Sequence, residues 1–340
     1  MNDMQASRVA AFRDLLVTRG QQHVSKSFGL TIWALGAHHV LPVSESDADE
    51  LVSAMSDLKH LVAFEQKFDL LLENLMELER ELLDRALVTN LRGFQSAHDM
   101  LDDQLAFARR LLNLMSAART YVDHVKHHMS AMHPGDAVVK AAVDALFAER
   151  YDASLDYRVM EAMRNYSQHR GMPVHGFSYE PRWIDEEGGR RMEANYRIKL
   201  DLALLRQDKK FKAAVLKELD EAGVDPDLKS IARGYVGQLG KVHLSLRDLI
   251  DHRMKTARDR LSEWRERYSQ SSGAVSMLGL AVVDDTDPCR PKHLTGLADT
   301  PLGYLDRLRR RNGSIQNISE RTVSSMVLPP KRRKAQTTQP

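Results

Sequence analysis

The sequence predicts a mainly α fold: an up-and-down helical bundle with a small β element and additional C-terminal helices. Three observations carry this. Leu61, Phe64, Phe68, Leu71, Leu75, Leu78 and Leu82 recur at alternating steps of three and four, a spacing that holds all of them on one stripe of a helix. Leu101, Leu105, Ala108, Leu112, Met115, Val122 and Met129 form a second such stripe. Further on the period falls to two: Glu193, Asn195, Arg197, Lys199 and Asp201 alternate with Ala194, Tyr196, Ile198, Leu200 and Leu202, which is the signal of a strand.

The elements follow in order. Residues 1–43 form an N-terminal segment in which Ser7–Thr18 has helical character and Gln22–Val43 fits helix or strand. Pro42 and then Ser44-Glu45-Ser46-Asp47 mark a break and a helix start, with small polar caps and early acids. The first stripe predicts a helix over about Asp47–Val88, broken at Thr89–Phe94 with Gly93 as the turn. The second long helix runs to His133-Pro134-Gly135-Asp136. Asp136–Arg150 and Ser154–Arg170 are shorter helices, the last stopped by Gly171 and Pro173. Together they make a bundle over residues 44–176. A coiled-coil spacer is the competing reading, but it leaves the third and fourth segments without a role.

A small β element occupies 177–207, extended over Phe177–Ile184 and turning at Gly188-Gly189. The C-terminal helical region, 208–312, holds Asp208–Ala222 and then Asp225–Gln270, with interruptions expected near Gly234 and Gly240. A strand within Ala274–Val283, a loop at Asp284–Pro291 and a short basic helix at Asp299–Arg311 complete it. Residues 313–340 are a basic tail ending in Pro329-Pro330, Lys331-Arg332-Arg333-Lys334 and Gln/Thr residues, a composition expected to be disordered.

Composition narrows the function. The chain has 340 residues, 43% hydrophobic and 28% charged, enough to bury a core in one or two domains. The longest uncharged apolar stretch, Phe28–Val43, contains histidines, glycines and a proline and falls short of the ~20 residues of a spanning helix. No membrane segment is expected, and no secretion signal, since the N-terminus lacks a basic region followed by an apolar core. The single cysteine, Cys289, excludes an internal disulfide framework and a multi-cysteine zinc site and fits a reducing cytoplasm. Net charge is only +2, but acids outnumber bases roughly two to one between Glu45 and Arg110, and the C-terminal end is strongly basic.

No phosphate-binding glycine loop and no nucleophile elbow is present. His124 and His128, four apart on a helix, share a face and offer a metal reading, but no glutamate follows the first histidine as in the metalloprotease signature. The segment that carries chemistry is Glu161-Ala162-Met163-Arg164-Asn165-Tyr166-Ser167-Gln168-His169-Arg170-Gly171-Met172-Pro173. Arg–His pairs at this kind of spacing also occur at Arg92/His98, Arg119/His124, Arg170/His175 and Arg247/His252. Arg164/His169 stands apart because Asn165 follows the arginine, because the pair lies on the last bundle helix, and because that helix stops just after it. The plain structural reading is an arginine and a histidine placed against a helix C-terminal dipole.

Motif and architecture together resemble the HEPN superfamily, whose Arg-x4–6-His motif often carries a polar residue after the arginine. The resemblance covers roughly residues 44–176. It implies a metal-independent endoribonuclease of toxin or phage-defence type, cytoplasmic, needing no cofactor and acting as a homodimer with a composite site. Arg164, Asn165 and His169 are the catalytic candidates on this reading: His169 moving the proton of the ribose 2′-OH or of the leaving oxygen, Arg164 holding the phosphate, Asn165 orienting the histidine or binding phosphate. Arg170 and His175 are candidates for substrate binding. The expected product is a 2′,3′-cyclic phosphate, with RNA as substrate and an antitoxin or defence protein as a possible partner. Gly171 stands where nucleotidyltransferase-paired members carry a tyrosine, which puts an AMPylating partner in doubt. The alternative is a non-catalytic helical dimerisation or scaffold protein whose basic tail binds nucleic acid or a partner.

Overall fold

The helix starts are written in short polar side chains. In a computed structural model of the chain, which describes residues 26–321 apart from 36–37, 94–95, 187–188, 224–225, 275, 288–289, 314 and 316, α1 spans Glu45–Arg92 and α2 spans Ala97–Met132. Ser44 Oγ accepts from the Asp47 amide at 3.0 Å ahead of α1, and Ser96 and Asp99 bond reciprocally ahead of α2. These contacts satisfy amides that a helix start leaves bare. Gly93 and Gly135, both at positive φ, close the two helices. Asp136 Oδ1 then accepts from the Val138 and Val139 amides, opening α3 (Ala137–Ala153). Ser154 caps α4 (Leu155–His169) through the Tyr157 amide. The remaining helices are α5 (Leu202–Gln207), α6 (Ala213–Glu221), α7 (Leu228–Ser272) and α8 (Thr300–Arg311). The fold is mainly helical, as the stripes predict.

Six strands make two antiparallel sheets among the described residues. β1 (Phe28–Ile32), β2 (Leu41–Val43), β5 (Leu280–Asp284) and β6 (Lys292–Gly296) form one, in the order β2-β1-β5-β6. β3 (Gly176–Glu186) and β4 (Gly189–Lys199) form a separate ribbon. No helix among the described residues is long and apolar enough to cross a membrane. Ser7–Thr18, the tail with Lys331–Lys334, and Cys289 lie outside the described residues.

The chain divides into two units, and the three long helices contribute to both. One unit takes the described residues up to 74, with 116–149 and 242–313. Its core is built on Leu61, Phe64, Phe68 and Leu71 of α1 against Tyr121, Val125 and Met129 of α2 and Leu246, Ile250 and Leu261 of α7, all buried. Acids of α1 meet arginines of α7 in antiparallel order: Glu50 with Arg260, Asp57 with Arg253 at 2.7 Å, and Glu65 with Arg247 at 2.7 Å. Glu65 is 1% exposed and His243 fully buried. His243 Nε2 lies 3.2 Å from the Glu65 carboxylate and its Nδ1 lies 3.1 Å from the Tyr121 hydroxyl. Its ring stacks on Phe64 and Phe68 with centroids at 4.4 and 4.0 Å. Arg309 of α8 adds a third basic partner to Glu65 at 3.1 Å. Burial pushes against the ionised carboxyl, but the bonds from His243 and Arg247 outweigh it and hold Glu65 well below the usual carboxylate range. Burial lowers His243 to about 4, leaving a neutral ring that donates to Glu65 and accepts from Tyr121.

The other unit takes 75–115, 150–241 and the described residues from 315. Tyr196 of β4 is its polar centre, donating to Asp103 at 2.8 Å and bonded to Thr89 at 2.7 Å. Asp103 also holds Arg85, which reaches Glu81. Tyr157 and Tyr235 meet edge to face at 4.9 Å, and the Tyr235 hydroxyl donates to Glu161 at 2.8 Å.

Four expectations are corrected. α7 is continuous through Gly234 and Gly240. A Cβ at Gly234 would run into the Asp156 carboxylate, so this glycine serves close helix packing and not a break. The second stripe is buried at Ala108, Met115, Val122 and Met129, but its first two positions, Leu101 and Leu105, are each 57% exposed, and Phe107, Leu111, Leu114, Ala118 and Tyr121 widen the buried face of α2. The expected helix at 208–222 begins only at Ala213, because Asp208–Phe211 is a turn. The strand expected from Ala274 is β5 alone, starting at Leu280.

Glu65→Ala leaves His243, Arg247 and Arg309 facing an empty carboxylate site and is expected to cost ~3–5 kcal/mol. Arg119→Ala removes only an exposed i,i+4 pair with Asp123 and is expected to cost no more than ~0.5 kcal/mol. Thermal unfolding of the two variants beside the parent protein checks the contrast.

Candidate functional site

The end of α4 places three of the five motif candidates in one cleft. Tyr157, Val159, Met160, Ala162, Met163 and Tyr166 face inward along this helix, so Asn165 and His169 are left outward. The helix ends where the Arg170 amide bonds to the Tyr166 carbonyl at 2.8 Å. Gly171 then passes directly over the Tyr166 ring, where a Cβ would meet the phenol oxygen at 2.5 Å. Space against Tyr166, and not a loop's freedom, is what glycine supplies here.

The facing wall is the turn between α5 and α6. Asp208 Oδ1 accepts from the Lys210 amide at 3.0 Å, and the Phe211 amide bonds to the Asp208 carbonyl at 2.9 Å. Phe211 is buried and its ring meets Tyr166 at 6.2 Å. This plug fixes Lys210 and Lys212 on either side of it. Lys212 Nζ donates to the Tyr151 hydroxyl at 2.7 Å and sits over that ring.

The cleft between these walls has a volume of about 500 Å³. Asn165, His169 and Arg170 line it, opposite Asp208, Lys210 and Lys212. Arg170 Nε is 3.7 Å from Asp208 Oδ1. Three permanent cations and one carboxylate thus line the cleft, which carries a surplus of positive charge. Burial and then the charge of Asp208 push the Tyr166 phenol up, so it stays protonated at its floor.

Arg164 and His175 are not among the lining residues. Arg164 donates to Asn165 Oδ1 at 3.3 Å, and its charge acts on Tyr235. Five residues along a helix turn a side chain by roughly 140°, which is why Arg164 and His169 part. His175 accepts from the Asp201 amide at Nδ1, packs edge-on behind Tyr166 at 5.6 Å, and is lowered by its burial.

The metal reading of His124 and His128 meets a larger cluster. His60 Nδ1 is 3.0 Å from His128 Nδ1, and the His124 and His127 rings lie 6.3 and 5.5 Å from that of His128. Among the described residues, no group of three or more His, Cys, Asp or Glu side chains is placed to hold a metal ion. A groove of about 810 Å³ between α1 and α7 is larger than the α4 cleft, but its arginines, Arg253 and Arg260, are already paired with Asp57 and Glu50.

Comparison of the chain with family models, with curated proteins and with solved structures finds no match.

Burial, followed by the neighbouring imidazoles and Lys67, lowers His128 to about 4 from an ordinary 6.5. His243 is lowered to the same level. A histidine depressed in the folded state contributes stability above its unfolded pKa and loses it as pH falls toward the folded one. Unfolding temperature is therefore expected to hold near pH 7 and to drop steadily between pH 6.5 and 4. His128→Gln removes one of the two groups, and melting curves across that range should show a shallower fall.

Proposed function

We propose that the chain is a metal-independent endoribonuclease acting in the cleft at the end of α4, with His169 as the proton-transferring group. The observation that carries this reading is the convergence of His169, Asn165 and Arg170 with Lys210 and Lys212 on one cleft. A phosphodiester is an anion that several cations can hold at once. An imidazole is the side chain suited to moving a proton near neutral pH. Arg170, Lys210 and Lys212 would hold the phosphate and offset the charge that builds on its oxygens as the 2′-oxygen attacks. His169 would accept the 2′-OH proton or return one to the leaving 5′-oxygen. Asn165 offers an amide to either. A 2′,3′-cyclic phosphate end results, and DNA, lacking the nucleophile, is bound without being cut.

This departs in two respects from what the family resemblance implies. Lys210 and Lys212 supply, within one chain, cationic groups that a composite site draws from a second copy. Arg164 takes the role of a positioning residue for Asn165. A toxin or defence setting follows from the resemblance alone and is part of the proposal on that footing. The scaffold reading is favoured by one observation: Leu83, Leu87 and Leu91, four apart on α1, are 48%, 57% and 76% exposed.

Purified protein is expected to cut single-stranded RNA in EDTA. His169→Ala should lower the rate at least ~10²-fold while the melting temperature holds. The double variant Lys210→Ala/Lys212→Ala should weaken RNA binding and flatten its salt dependence, each lost phosphate contact removing ~0.7 from the slope of log K against log salt. A wild type that leaves RNA intact, with binding indifferent to both lysines, would return the chain to the scaffold reading.

A further inference from the structure

The ribbon of β3 and β4 has two ends with different surroundings. Residues directly opposite in an antiparallel pair share a face, and that face recurs every second residue. Near the root one face carries Phe177 opposite Ile198 and Tyr179 opposite Tyr196. It is covered: Phe107 meets Phe177 and Tyr196 edge-on at 5.7 and 5.3 Å. The same face continues outward as Pro181 opposite Ala194 and Trp183 opposite Met192. Apolar cover thins there: the Arg190 guanidinium lies over the Trp183 ring at 5.4 Å, and Trp183 is still 58% exposed.

The edges also differ. The Ile198 amide donates to Asp227 Oδ1 at 3.1 Å and the Tyr196 carbonyl accepts from Lys229 Nζ at 3.1 Å. Main-chain groups of the even-numbered residues of β4 therefore point away from β3. At the root they are satisfied by the segment that opens α7. Further out, Ala194, Met192 and Arg190 present the same groups, and among the described residues no strand pairs with them. The outer edge of β3 is blunted at the matching level by Pro181, which has no N–H to offer. The outer edge of β4 has no proline. A lone two-stranded ribbon is marginal in water, and an open edge of this kind is a template for another strand.

We propose that the free edge of β4 pairs antiparallel with β4 of a second copy of this chain, giving a four-stranded sheet β3-β4-β4-β3 about a twofold axis at Met192. Outward-facing residues must meet outward-facing residues. Centring on Met192 does this, setting Met192 opposite its own copy and Arg190 opposite Ala194, and each such pair exchanges both of its N–H···O bonds. Trp183, Met192, Met192 and Trp183 then form one continuous apolar row across the new sheet. Charge selects the occupant. Residues 176–199 hold five acidic and five basic side chains, so the ribbon offers a polyanion no net attraction. Two copies approach without net repulsion, and an edge that is its own complement suits an isologous contact. The proposal stands apart from the RNA reading, since the edge includes none of the cleft residues.

Sedimentation of the full chain over a wide range of concentration is expected to show a monomer–dimer equilibrium. Met192→Pro removes an outward N–H while sparing the bonds to β3, and should raise the dissociation constant by about tenfold or more with an unchanged circular dichroism spectrum. Met192→Lys and Met192→Glu set like charges on the axis, and each alone should be monomeric. Mixed in equal amounts they should form a heterodimer, a rescue that misfolded variants cannot give. A wild type that is monomeric throughout overturns the proposal, whether or not the edge captures some other protein. So does a dimer that persists unchanged in Met192→Pro and Met192→Lys.

Discussion

A carboxylate buried among aromatic rings is costly unless opposite charge and hydrogen-bond donors surround it, and Glu65 has two arginines and a neutral imidazole donor. His243 and Arg247 reach it from α7, and Arg309 reaches it from α8. His243 is in turn clamped between Phe64 and Phe68 and held by Tyr121 of α2. Three helices of this unit thus meet at one oxygen pair, and α2 is tied to it through His243. Sliding α7 by a turn along α1 would leave Glu65 without a partner and His243 without its slot. An apolar stripe tolerates such a slip, since one leucine replaces another at the next turn. The buried charge does not, and it fixes the register.

The same logic accounts for the charge pattern of the sequence. The acidic bias between Glu45 and Arg110 was legible, but its meaning was not. Glu50, Asp57 and Glu65 answer to arginines of α7 some 180 to 210 residues later. Glu77 and Glu81 answer to Arg110 of α2, close enough in sequence to be guessed. Distance along the chain is what hides the first set. The four-stranded sheet is hidden for the same reason. β1 alone looks ambiguous between helix and strand, and what settles it is β5, with Phe28 opposite Asp284. The long helices were legible because each carries its evidence within itself: Ser44 and Ser96 at the starts, Gly93 and Gly135 at the ends, and a stripe between. A helix can have two apolar lines, however, and nothing local tells which is inward. On α2 the predicted line is inward from Ala108 onward, but at its start Leu101 and Leu105 stay outward and Phe107 turns in, where it meets the rings of the β3–β4 ribbon.

The candidate site was half legible. Asn165, His169 and Arg170 follow from a short motif near a helix end. The opposite wall does not, because Asp208-Lys-Lys-Phe-Lys reads by composition as the start of a helix. It folds as a turn because Asp208 bonds its own backbone two residues on and Phe211 leaves the line to plug against Tyr166. The basic run in those five residues was a signal that could have been weighed with the motif. Arg164 shows the converse: a residue chosen by motif and carried by helix rotation to a different neighbourhood from His169.

Whether a charged side chain serves the fold or a ligand depends on how many partners it already has. In the groove between α1 and α7, Arg253 and Arg260 each hold a carboxylate, so an anion entering there must displace one and gains little in net. In the α4 cleft Arg170, Lys210 and Lys212 face one acid, Asp208, whose oxygen is also engaged with a backbone amide. An incoming phosphate there meets cations not fully satisfied, on a rim wet enough that their desolvation is modest. It gains charge-assisted bonds without breaking buried pairs. The larger cavity is therefore the poorer candidate, and the smaller one, with its surplus of positive charge beside an exposed imidazole, is where chemistry on an anion has the least to undo.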